Sequence, residues 1–369
     1  MSLFDAWRER RDRLLASERF QRWAARFPLT RGIARRESRA LFDLCAGFVY
    51  SQVLYACVSL GVFEMLRSGP RTRADLATRL GLGEPAMRTL LDAAVALRLL
   101  ERIGRDRYGL GRLGAVAGGS EPIRAMVEHH RLLYADLADP VGLLRGQLAP
   151  TRLAGFWSYA ARPQGADFTA DDVADYSALM ARSHSLVAED ILDAWPVERC
   201  GCVLDVGGGE GAFLEALARR STSQRLMLFD LPPVSERARQ RLVARGLGER
   251  VQVHGGDFRA DALPGGADLV SLVRVVHDHD DLTALRLLEA VRAALSAGGT
   301  VLIAEPMAGQ PGVEAMADAY FGFYLLAMGR GRPRNAAELI ELARRAGFKS
   351  ARAVPTARPL LTSLVVATA

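Results

Sequence analysis

The run CVLDVGGGEGAF, Cys202 to Phe213, limits the fold more than any other feature: an apolar strand pattern breaks on glycines and resumes as a helical pattern. Without side chains in that turn, backbone can approach a nucleotide-like ligand at the start of a helix. The alternation continues on both sides. Helical DDVADYSALMARSHSLVAEDILDAW precedes the run. RLMLFDL, a helix through Ser235 to Leu247, VQVHGGD, DLVSLVRVV, the helix DLTALRLLEAVRAAL and the strand TVLIAEP follow it. Such an order predicts an α/β, doubly wound, Rossmann-like sheet whose ligands sit at the carboxyl ends of the strands. The tail segments FKSARAVPTA and LLTSLVVATA are expected to pair as a hairpin on the sheet edge.

The first half reads differently. Ala40 to about Phe63 is continuous helix. Ala74–Leu80, the turn Gly81-Leu82-Gly83, Glu84–Leu99 and the strands LLERIG and RYGL then give the order of an α-helical winged-helix domain. That unit often binds DNA. Here its second helix offers Arg88 and Arg98 but also Glu84 and Asp92, too few basic or amide groups for phosphate and base readout, so no nucleic-acid partner is expected. A transcriptional regulator stays as the reading from another class. The expected division is residues 1–160 for the arm and winged-helix part and 161–369 for the ligand-binding part, with ARPQGADF (Ala161–Phe168) as the linker.

Charge and cysteines narrow the setting. Residues 1–40 hold 11 arginines against five acids, and their net +6 equals that of the whole chain. Trp7, Phe20, Trp23 and Phe27 are interspersed with those arginines, a composition that suits an anionic membrane surface or a partner subunit. The uncharged run Leu44–Phe63 is nominally long enough to span a bilayer, but its glycines and polar residues favour a helix in a dimer interface. Cys45, Cys57, Cys200 and Cys202 show no paired spacing, and the start lacks the order of a signal peptide. A cytoplasmic location follows, peripheral to an inner or photosynthetic membrane if the arm binds lipid.

The chemistry lies at the predicted strand ends. Gly207 and Gly209 with Ala212 also fit a dinucleotide fingerprint, so the loop alone leaves a dehydrogenase open. Asp205, two residues before the first glycine, suits the ammonium or sulfonium of S-adenosylmethionine and would repel a pyrophosphate. Asp230 ends the next strand at the distance where an acid accepts both ribose hydroxyls, with Leu231 beside the adenine slot. Asp257 and Phe258 in GGDF are placed to take the adenine amino group and cover its ring. His277 in VRVVHDHDD is the proton acceptor expected from an imidazole titrating near neutrality, and Glu305 in LIAEP its orienting acid. His279 is expected at the surface, and His129, His130 and His254 are expected to be structural. Neither clustered carboxylates nor His/Cys spacing suggests a metal.

With LDVGGGEG, FDLP, GGDF, HDHDD and IAEP in order, the chain resembles the caffeate-type class of plant and bacterial O-methyltransferases over nearly its whole length. The resemblance implies a class I methyltransferase sheet, an N-terminal dimerisation domain, a homodimer, S-adenosylmethionine as donor and S-adenosylhomocysteine as product, and His277 as base. Where the family carries a second acid in an RTE-like sequence, this chain has RPRNAAE with Ala336. Within the family, RFQRWAARFPLTRGIARRESRALFDLCAGFVYSQVL and EHHRLLYADLADPVGLLRG are similar to the bacterial carotenoid enzymes acting on hydroxyneurosporene and demethylspheroidene. That implies a tertiary polyene alcohol as acceptor, a phenol being the alternative. Tyr176, Met180, Tyr320, Phe321 and Met328 are the expected acceptor pocket.

Overall fold

The structure is a computed structural model that describes residues 3–157 and 169–369. Its contacts form two compact units, Met1–Gly119 and Ser120–Ala369. The segment expected as a linker, Ala161–Phe168, falls outside the described residues.

The first unit begins with helices α1 (Leu3–Ala16), α2 (Glu18–Arg26) and α3 (Arg31–Ser59). α3 is long and apolar enough to cross a membrane by length and composition. The uncharged run expected as one helix is two: Gly61 takes φ +68, which a side chain would resist, and α4 (Val62–Arg67) turns Val62 and Phe63 completely inward. α5 (Arg73–Leu80) and α6 (Glu84–Ala96) follow. Strands β1 (Arg71–Thr72), β2 (Leu100–Ile103) and β3 (Arg107–Leu110) pair in the order β1-β3-β2. This is the winged helix, closed over a core that includes Leu76, Met87, Leu91, Leu100 and Tyr108. α7 (Arg112–Gly119) ends the unit.

In the second unit, α8 (Glu121–Asp136), α9 (Pro140–Leu144), α10 (Arg152–Phe156) and α11 (Ala170–Ala194) precede the sheet. Asp136 ties the first of these to the third, accepting from the backbone N–H of Arg152 and Leu153 at 2.8 and 2.9 Å. The strands are β4 (Cys202–Val206), β5 (Arg225–Asp230), β6 (Val251–Gly255), β7 (Ala267–Val273), β8 (Leu295–Glu305), β9 (Ser350–Val354) and β10 (Ser363–Thr368), in the order β6-β5-β4-β7-β8-β10-β9. The first five run parallel, which requires crossover helices and burial of both faces. The tail hairpin joins as expected, with β10 antiparallel to β8 and β9 at the edge.

Strand alternation sorts the core. Leu204, Val206, Met227, Phe229, Val270, Leu272, Val301 and Ile303 face α14 (Asp281–Ala294) and α16 (Ala336–Arg345). Val203, Leu226, Leu228, Leu269, Val273 and Leu302 face α11, α12 (Ala212–Arg220) and α13 (Pro232–Ala244). Between β8 and α16, α15 (Phe321–Met328) grows out of a π-helical turn, Ala315–Tyr320. Phe213, fully buried in the second core, fixes the helix that begins at the glycine loop. Phe213→Ala is expected to cost about 3–5 kcal/mol of stability, seen as a lower urea midpoint. A loss below about 1 kcal/mol would contradict this packing.

Candidate active site

β4 pairs with β5 on one side and β7 on the other, so the connections run to opposite sides of it and the strand ends open a cleft there. Gly207 and Gly209 line it at φ +67 and +56. A β-carbon on Gly207 would lie 2.7 Å from Val275 Cγ2, so the loop admits no side chain there.

Asp230, at the end of β5, holds the loop. Its Oδ2 accepts from the Gly209 N–H at 2.7 Å and its Oδ1 from the Leu231 N–H at 2.7 Å. Each oxygen retains a lone pair for a ligand hydroxyl. Burial pushes the Asp230 carboxyl up to about 6, against the pull of those two N–H groups. Past β6, Asp257 takes the Arg259 guanidinium on both oxygens, with the closest approach 2.7 Å. Burial works to raise the Asp257 carboxyl, but the Arg259 bonds outweigh it and hold the group below its usual range. Phe258 lines the cleft beside Asp257 and meets the His279 ring edge-on at 5.1 Å.

Asp205 lies beneath the loop and is 1% exposed. Ser271 donates to its Oδ1 at 2.6 Å, whereas Oδ2 is buried with no hydrogen-bond partner among the described residues. That open oxygen sits under Gly208, where a β-carbon would come within 2.6 Å of it. Burial pushes the carboxyl up to about 7, with Ser271 pulling the other way. An unsatisfied buried acceptor is costly, and Asp205 does not itself line the cleft.

His277 stands just beyond β7 in the helical turn Val276–Asp278 and is 5% exposed. Its Nε2 is 3.1 Å from Asp278 Oδ1 and its Nδ1 3.5 Å from Glu305 Oε1. Burial alone would lower this imidazole, but the Asp278 and Glu305 charges raise it to about 10. The two carboxylates thus favour the charged ring, against burial, rather than the near-neutral base expected. Glu305 also differs in detail: Oε1 accepts from the His277 backbone N–H at 2.9 Å, so it anchors the main chain while facing the ring as a charge.

The opposite wall is apolar. Tyr176 and Met180, expected in the acceptor pocket, line the cleft with Trp157. Tyr320 and Phe321 do not line it; Phe321 lies 6.1 Å from the His277 ring, with Tyr320 packed against Phe321 at 5.0 Å. Met328 is core, buried with Leu133, Leu153, Trp157 and Tyr324. His129 and His130 each meet a tyrosine of the α15 region, Tyr324 and Tyr320, at 2.7 Å, and burial lowers both imidazoles to about 4. His279, expected at the surface, is 8% exposed and lines the cleft. Its backbone is already extended after the helical turn, which swings the ring back toward Phe258.

Several residues escaped the sequence reading. Asp278 reaches the cleft wall where His277 does not. Arg274, non-glycine at φ +59, also lines it and donates to Ser183 Oγ at 2.9 Å. The only sequence signal for Arg274 was its place at a strand end. Behind the turn, fully buried Arg334 donates to the carbonyls of Val276 and His279 at 2.9 and 2.7 Å and to Asp281 Oδ1 at 2.7 Å. Arg332 N–H donates to the His277 carbonyl at 2.9 Å.

Residues 134–349 match the family model of the O-methyltransferase domain, and residues 42–117 that of the O-methyltransferase dimerisation domain. The chain belongs to the S-adenosylmethionine-dependent O-methyltransferases. It is 47% identical over 355 residues to demethylspheroidene O-methyltransferase of Cereibacter sphaeroides, covering 96% of this chain and 93% of that one. The corresponding enzyme of Rhodobacter capsulatus is 40% identical, with 96% and 88% covered. In fold it is similar to the crystal structure of human N-acetylserotonin methyltransferase in complex with SAM, at a TM-score of 0.71 and 24% identity, covering 90% of this chain and 97% of that one. The methyltransferase uses its dimerisation domain to form a homodimer. Among the described residues, no three His, Cys, Asp or Glu side chains come together to hold a metal ion.

A β-carbon on Gly331 would fall 2.0 Å from the His277 carbonyl oxygen, so any side chain there displaces the turn that carries His277. Gly331→Ala is expected to lower kcat about a hundredfold, the scale of a 1 Å misplacement. A β-carbon on Gly329, at φ +88, would meet nothing within 4 Å, so Gly329→Asn serves as a control with near-full turnover. Full turnover by Gly331→Ala would show that the turn needs no such support.

Proposed function

We propose that this methyltransferase acts on the tertiary hydroxyl of an acyclic hydroxycarotenoid, of the hydroxyneurosporene or demethylspheroidene type. The observation that carries the reading is the apolar side of the cleft, where Trp157, Tyr176 and Met180 line it beside Leu231 on the donor side. Tyr176 and Met180 then supply an acceptor wall suited to a polyene, with the apolar core around Met328 and Tyr320 behind it. The two bacterial relatives, both demethylspheroidene O-methyltransferases, support it.

When bound, S-adenosylmethionine supplies an electrophilic methyl group on a sulfonium. In this reading Gly207 and Gly209 admit its backbone-sized approach, and Asp230 accepts from the ribose hydroxyls with its remaining lone pairs. Asp257 takes the adenine amino group, Leu231, Phe258 and His279 cover the ring, and Asp205 offers its open oxygen to the ammonium. The acceptor oxygens of Asp230 and the negative charge of Asp205 beneath the loop support these roles.

An alkyl alcohol is too weak an acid to be deprotonated before attack. Holding its oxygen in line with the methyl therefore supplies most of the acceleration, and the proton leaves late. Its destination is the Glu305–His277–Asp278 cluster, formally −1 with a charged imidazole between two carboxylates. The imidazolium already carries both ring protons, so Asp278, the member that reaches the cleft, takes the released proton, and His277 holds that carboxylate in place and shares its charge. No nucleic acid enters this reading. A membrane-dissolved acceptor places the homodimer in the cytoplasm, peripheral to a membrane through its arginine-rich arm.

Incubation with methyl-labelled donor, extracted hydroxycarotenoids and catechol-type phenols tests the assignment. Label is expected in the carotenoid, with at least a tenfold loss in His277→Ala. Label in the phenols alone would replace the acceptor class, and unchanged turnover of His277→Ala would remove that residue from proton transfer.

A further inference from the structure

The arm that precedes the dimerisation match carries two exposed aromatic stripes, each bordered by arginines. On α1, Phe4, Trp7, Leu14 and Leu15 share one helical face, and Asp5, Glu9 and Asp12 occupy the other. Trp7 is 56% exposed and stacks on Phe4 at 6.3 Å. Arg8 lies over the Phe4 ring at 4.4 Å and Arg11 over the Trp7 ring at 5.4 Å. On α2, Phe20, Trp23 and Phe27 form a ladder with centroid spacings of 5.6 and 5.0 Å, and Trp23 is 49% exposed. Arg19, Arg22 and Arg26 follow the same spacing along the neighbouring face, while Ala24 points inward.

We infer that the aromatic faces of α1 and α2 are a docking surface for a bilayer containing anionic lipid. The helices lie in the interface plane, aromatic rings at headgroup depth and guanidinium groups against phosphate. Charge decides the occupant. α1 and α2 carry seven arginines against four acids, a net +3, and the first turns of α3 bring the arm through residue 40 to +6, a charge drawn to an anionic surface. A second copy of the chain fits less well, because it brings an arm of the same charge and because the dimerisation match starts at residue 42, beyond these helices. Aromatic rings beside arginines are the composition of helices that bind at a lipid interface without spanning it. The inference rests on the membrane-surface reading above and specifies its surface and its lipid.

Flotation of the full-length homodimer with vesicles, without acceptor or donor, separates this inference from the acceptor assignment. Vesicles of phosphatidylcholine with about one third phosphatidylglycerol are expected to bind the protein at least tenfold more strongly than phosphatidylcholine alone, with the difference collapsing in high salt. Replacing Arg8, Arg19, Arg22 and Arg26 together by Gln should weaken binding several hundredfold, about fivefold for each. Trp7→Ser with Trp23→Ser should weaken it on both vesicle types. Sedimentation should show the variants still dimeric. Absent or equal binding of the wild type to the two vesicle types would overturn the inference, as would dissociation of the arginine variant into monomers.

Discussion

A buried imidazole between two carboxylates sets the demands on everything around the active site. His277 meets Asp278 on one nitrogen and Glu305 on the other, at 3.1 and 3.5 Å, in a place almost closed to water. Burying three ionisable groups is expensive, and ion pairing there is poor evidence of stability for its own sake. The arrangement persists only if the main chain around it is fixed. Glu305 clamps the His277 N–H, Arg332 clamps its carbonyl, and Arg334 ties the residues on both sides to Asp281. Gly331 permits this last layer to pack directly on the turn.

The same cluster explains why the absence of a second family acid at Ala336 does not leave the histidine with one partner. Ala336 opens α16, whose start is satisfied by a capping box between Asn335 and Glu338. The second carboxylate comes instead from the adjacent residue, Asp278, which also reaches the cleft. The site thus has a cleft-side carboxylate, a charged ring behind it and a buried acid behind that. Such a set can receive a proton released late, which suits an alcohol better than it suits an acidic phenol.

Much of this was legible in the residues. The glycine loop, the acids at the ends of β4, β5 and β6, and the tail hairpin all follow from strand alternation and residue type, which are local signals. What escaped depends on contacts between distant segments or on a change of direction over a few residues. His279 could not be placed because a helical turn ends between it and His277. The raised His277 imidazole requires the net balance of burial against two charges, which spacing does not supply. Arg334 looked like one arginine in a basic stretch, and only the fold brings it beneath residues 276–281. The helices at residues 121–156 follow the winged helix in sequence, yet their apolar faces belong to the cluster around Tyr176 and Tyr324.

The charge state of His277 links the sequence, the buried cluster and the proposed path of the proton. A histidine-selective NMR titration, assigned with His277→Gln, measures it directly. The ring is expected to be still charged at pH 8 and to titrate at about 10, with its contribution to stability full below the unfolded value of about 6.5 and lost as pH rises through about 10. A ring that titrates at or below 6.5 would contradict the account, because His277 would then be a neutral base and the paired carboxylates would not govern the site.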